Sequence, residues 1–89
     1  MIEIHFTKKF GRTVNDVLQT NYPLFTEITE KITEFRDPKN HKRLKVHKLH
    51  GRMKSKYSFS VDYKNRIVFE YLNKKSVVLM DFGDHDVYQ

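Results

Sequence analysis

The sequence predicts an α+β domain in the order β-α-α-β-β-β, a helical hairpin packed on one face of a small, mainly antiparallel four-stranded sheet. The last third carries three apolar-rich runs, Y-S-F-S-V-D-Y, N-R-I-V-F-E-Y and S-V-V-L-M-D-F, with short polar turns between them, which reads as a meander. Upstream, two stretches place apolar residues at helical rather than alternating spacing. A chain of 89 residues is expected to form one domain, 1–89, with a modest core.

Ile2 and Ile4 alternate with Glu3 and His5, and Phe6 follows, so the chain opens with a short strand. Thr7 is a helix cap by type, and Phe10, Val14, Val17 and Leu18 fall at helical spacing behind it. Gly11 lowers helix propensity and moves the expected start toward Thr13. The second helix is better marked, by Asn21 as cap and Pro23 in the first turn. Leu24, Phe25, Ile28, Ile32 and Phe35 then form one apolar stripe, and Asp37-Pro38 ends it. From Lys39 to Lys56 the pattern is polar, broken by Leu44, Val46, Leu49 and Met53. It reads as a connection docked on the core, with a turn at Gly51 and an anchor at Leu49. In the meander, Tyr57, Phe59, Val61 and Tyr63 are expected to face the helices with Ile67, Phe69 and Tyr71. Ser58, Ser60, Asp62, Arg66, Val68 and Glu70 are expected on an open face.

The chain has no cysteine, which excludes disulfides and thiolate metal sites and fits a reducing compartment. No apolar run has the length of a membrane span and no signal-peptide pattern opens the sequence, so a cytoplasmic protein is expected. The net charge is +6, and it is concentrated: residues 36–56 hold nine Lys and Arg against the single acid Asp37. That block is +8, so the rest of the chain sums to −2. Clustering of this kind points to a polyanion, nucleic acid first, where an even scatter would point only to a solvated surface.

The run L-K-V-H-K-L-H-G-R-M-K-S-K-Y-S-F-S-V, then N-R-I-V-F, then G-D-H-D-V-Y, resembles the RelE/YafQ/HigB group of toxins, in the RelE/ParE superfamily. The shared pieces are H-x-L-x-G before the meander, an arginine opening the next strand, and a terminal G-x-H-x-x-Y. With the helix pair and strand order, the resemblance covers nearly the whole chain. It implies a RelE-like fold and the toxin of a type II toxin–antitoxin system, an mRNA endoribonuclease that acts on the ribosome and is inhibited by a cognate antitoxin. It also implies chemistry without metal or other cofactor. By position, His47 matches the histidine of H-x-L-x-G, and Arg66 matches a phosphate-contacting arginine. His85 matches the catalytic imidazole of the histidine-using branch, and Tyr88 the near-terminal aromatic. The chain departs from the group at Ser58 and Ser60, where RelE has lysines. It also has Val61 and Asn65 where YafQ has a histidine and an acid, which leaves the general base open.

Metal-free RNA cleavage needs a base for the 2′-hydroxyl, an acid for the leaving 5′-oxygen and a cation at the phosphate. Histidine suits the first two, and each positioned proton transfer is worth on the order of 10²–10⁴ in rate. An arginine fork suits the third by pairing two phosphate oxygens. Lys45, Lys48, Arg52, Lys54 and Lys56 are the expected backbone-binding cations, and His85, Arg66, His47 and Tyr88 the expected catalytic set. Each also has a structural alternative: a surface pair for His85, a basic apron for His47, an ion pair with Glu70 for Arg66, and core closure for Tyr88. Among the five histidines only His47 and His50 are closely spaced, and no ligand set completes a zinc site around them. Two other functions compete: a ParE-like gyrase-inhibiting toxin, and a non-catalytic nucleic-acid-binding module.

Overall fold

The structure, a computed structural model, describes residues 1–53 and 55–84. Lys54, His85 and Tyr88 lie outside the described residues. Strand β1 (Glu3–Phe6) is followed by helices α1 (Lys8–Thr20) and α2 (Tyr22–Phe35). A connection with two short 3₁₀ turns contains β2 (His47–Lys48), and β3 (Tyr57–Ser60), β4 (Asn65–Asn73) and β5 (Ser76–Asp84) complete the sheet. The strands lie in the order β1-β5-β4-β3-β2. β1 runs parallel to β5, and all other pairs are antiparallel. The sheet thus has five strands rather than four; the extra one is a two-residue edge strand inside the basic connection.

Local sequence sets the helix ends. The Thr7 hydroxyl accepts a hydrogen bond from the Phe10 backbone N–H at 3.1 Å, so α1 starts a full turn before Thr13. Gly11 is tolerated because α1 crosses close to β1: a Cβ there would lie 3.1 Å from the Phe6 ring. The Asn21 side chain caps α2 at Leu24, and Pro23 stands in its first turn.

The core fills the space between the helices and one face of the sheet. Phe35, the last residue of α2, is sandwiched between Phe59 of β3 (4.4 Å between ring centroids) and His41 (4.6 Å), both nearly parallel to it. Phe69 meets it edge-on at 4.9 Å. Ile28, Ile67, Val77 and Leu79 close the same core. His41 is locked there by a 2.8 Å bond between Nε2 and the Phe35 carbonyl. Burial of each such aromatic stabilises the fold by about 1.5–3 kcal/mol.

Three further expectations change. Tyr63 is not a core residue but is 92% exposed, because the β3 alternation stops at Val61 and a turn begins at Asp62. Tyr71 sits at the rim of the core, edge-on to Tyr57, and is partly exposed. The face away from the helices is not fully open, since Leu49, Ser58 and Val68 are buried on it.

Candidate nucleic-acid interface

Strand register maps the face away from the helices. His47 stands opposite Ser58, which stands opposite Val68. In the neighbouring row Ser60 stands opposite Arg66, and Arg66 opposite Gly83. His47 and Arg66 therefore share one face, two strands apart and two residues out of step. Standard strand spacings put their Cα atoms about 12 Å apart. Asp84, the last described residue, stands opposite Asn65 at the end of the sheet that carries Arg66.

Each side chain has a local cause for its pose. The Arg66 Nη1 group donates to the carbonyls of Asp62 (3.0 Å), Tyr63 (3.3 Å) and Asn65 (3.3 Å), closing the β3–β4 turn. Its Nε–Nη2 edge, which forms the fork with an oxyanion, has no partner among the described residues. Glu70, the expected ion-pair partner, instead binds Lys56 at 3.1 Å, so that structural alternative for Arg66 fails. His47 is exposed, and its Nδ1 lies 2.8 Å from the Lys45 carbonyl. A carbonyl only accepts, so Nδ1 carries the proton and the neutral ring keeps its basic lone pair on Nε2. Lys45 is in the left-handed region, with φ of 59°, where a non-glycine residue is uncommon. That conformation lets the Val46 N–H reach the His41 carbonyl at 2.9 Å and brings the Lys45 carbonyl to the imidazole.

The basic block is partly neutralised from within. Arg43 pairs with Glu34 at 2.6 Å, Lys39 with Asp37 at 3.6 Å, and Lys56 with Glu70. The Arg36 guanidinium is tied to the Ile2 carbonyl. Lys42, Lys45, Lys48 and Arg52 have no carboxylate partner among the described residues and are exposed. Lys48 stands opposite Tyr57 and so projects to the helix side of the sheet edge, not to the side of His47. Among the described residues, no three His, Cys, Asp or Glu side chains converge as a metal site would require.

Sequence reading missed two features. One is the orienting role of the Lys45 backbone, for which a lysine carries no signal. The other is the turn at Tyr63, and here a signal exists. Asp62 accepts from the backbone N–H groups of Lys64 (2.9 Å) and Asn65 (2.7 Å), the behaviour of an aspartate that opens a turn. Burial pushes the Asp62 carboxyl up, but these bonds, the Asn65 side chain and the Arg66 charge together hold it below its ordinary value.

No family model matches the sequence, and no curated protein matches it. Solved structures do. The chain is similar to the YoeB–YefM complex from Staphylococcus aureus, with 16% identity over 96% of this chain and 98% of that one, at a TM-score of 0.74. It is similar to the YoeB/ParE toxin from Agrobacterium tumefaciens, with 16% identity, 94% and 99% coverage, and a TM-score of 0.69. YafQ from E. coli matches at 12% identity, 97% and 96% coverage, and a TM-score of 0.68. Over nearly its whole length, the chain has the RelE-like fold of the YoeB and YafQ toxins.

Proposed function

We propose that this chain is the toxin of a type II toxin–antitoxin system, a cytoplasmic endoribonuclease that cuts mRNA on the ribosome and is inhibited by a cognate antitoxin. The observation that carries this reading is the pairing on one sheet face of an arginine whose fork and an imidazole whose Nε2 have no partner among the described residues. The shared toxin fold supports it, and a YoeB–YefM complex among the similar structures supports an antitoxin as partner. Arg66 binds the scissile phosphate and stabilises its added charge, as a preorganised cation does for a developing oxyanion. His47, through Nε2, takes the proton of the 2′-hydroxyl, and His85 gives one to the leaving 5′-oxygen. Tyr88 holds the substrate base. Lys45, Arg52 and Lys54 lead the RNA backbone in, with Lys48 at the sheet edge. Lys56 has a weaker role because Glu70 already holds its ammonium group. The antitoxin covers the side of the sheet that carries Arg66 and excludes RNA by masking positive charge.

Translation-dependent mRNA cleavage, measured beside gyrase inhibition, tests the reading. Wild-type protein should cut ribosome-bound mRNA in single turnover. His85→Ala should slow cutting by about 10²–10⁴ while RNA binding survives. Arg66→Ala should weaken both binding and rate. A folded His85→Ala protein cutting at the wild-type rate would remove His85 from the mechanism. The similarity to a structure named YoeB/ParE keeps the gyrase reading alive, and gyrase inhibition without RNA cleavage would establish it instead.

A further inference from the structure

Tyr63 is the most exposed large apolar side chain of the described residues, and it stands on one of their most tightly braced turns. Asp62 Oδ1 takes the backbone N–H groups of Lys64 and Asn65, and Oδ2 takes the Asn65 amide at 3.2 Å. Val61 N–H closes the strand onto the Asn65 carbonyl at 2.9 Å. Arg66 then gathers three carbonyls of the turn, that of Tyr63 among them. The other exposed aromatics each lie against a second ring: Phe6 on Phe10, Tyr22 on Phe25, and Tyr71 on Tyr57. Tyr63 has no ring partner among the described residues.

We infer that Tyr63 is a stacking platform for an unpaired base of single-stranded RNA, with Lys64 and Arg66 taking the phosphates beside it. This rests on the nuclease reading above and adds a site to it. Single-stranded RNA is recognised by stacking its splayed bases on aromatic rings, and any base serves because each has a π-face. A braced turn presents the ring with its backbone already ordered, which removes part of the entropic cost of binding. The turn joins the strand carrying Ser60 to the strand carrying Arg66, so a base on Tyr63 belongs to the same RNA strand whose phosphate meets the Arg66 fork.

Because the chain contains no tryptophan, Tyr63→Trp places a single tryptophan at the site, excitable apart from the remaining tyrosines. Its emission should be quenched by a short single-stranded RNA and not by a duplex of the same length. Tyr63→Ala should weaken binding of that fluorescein-labelled RNA, followed by anisotropy, by roughly 5- to 150-fold, the range that loss of one stacked base produces. Tyr63→Phe should bind like wild type, because the ring and not the hydroxyl does the stacking. Unquenched emission on bound RNA, with Tyr63→Ala binding as tightly as wild type, overturns the site and leaves the nuclease reading standing. Wild-type protein that binds neither the oligonucleotide nor mRNA-loaded ribosomes overturns both.

Discussion

The two faces of the sheet are built from the same strands and behave as opposites. Toward the helices, Phe35, Phe59 and Phe69 meet ring on ring among aliphatic side chains, and the polar atoms nearby are paired, as His41 is with the Phe35 carbonyl. Away from the helices lie an exposed imidazole, an arginine with part of its guanidinium unengaged by the described residues, and the buried Ser58 hydroxyl, which has no hydrogen-bond partner among them. Strand alternation divides the residues, but the helices decide which side becomes dry and well packed. One face therefore carries stability, and the other carries unsatisfied polar capacity, the property a binding site needs. Substitutions on the two faces should separate folding from function.

Phe35→Ala should break the first face. It removes the ring on which Phe59, Phe69 and His41 converge and should cost about 3–5 kcal/mol, read as a fall in the urea midpoint. A loss under about 1 kcal/mol would show that the stack is not the centre of the core. His47→Ala should do the reverse, leaving the urea midpoint nearly unchanged while slowing single-turnover cleavage by about 10²–10⁴. The Lys45 backbone sharpens this contrast. Lys45→Gly keeps the left-handed turn, whereas Lys45→Val opposes it, and both remove the same charge. Only the valine variant should change the His47 tautomer seen by nitrogen NMR.

Ser58→Ala removes a buried hydroxyl with no hydrogen-bond partner among the described residues, so stability should stay level or rise by up to about 1 kcal/mol. A clear loss would mean that the hydroxyl acquires a partner in solution. The smallest effect concerns pH. The Asp62 carboxyl is held below its ordinary value of 3.8, so its contribution is complete above that value. The contribution fades as pH falls through the lower, folded-state value. Stability of wild type measured from neutral pH into that range should therefore fall more steeply than that of Asp62→Asn. Parallel curves would show that the carboxylate does not brace the turn.

Sequence alone determined a good deal of this molecule, and for local reasons. Thr7, Asn21 and Pro23 mark helix ends because capping involves residues within one turn, and the apolar stripe of α2 is visible because helical periodicity is a property of neighbours in sequence. The meander and the shared face of Ser60 and Arg66 follow from alternation in the same way. The pairing of β1 with β5 joins the two ends of the described chain and cannot be read from either. The edge strand at His47–Lys48 exists only because β3 offers it hydrogen bonds. Glu70 takes Lys56 and leaves Arg66 because register puts that lysine beside it. The left-handed Lys45 that aims His47 is imposed by the turn's bond to the His41 carbonyl, and His41 is held in turn by the core. Tertiary structure decided these points because each depends on a partner distant in sequence or on a backbone conformation that the residue would not adopt by preference.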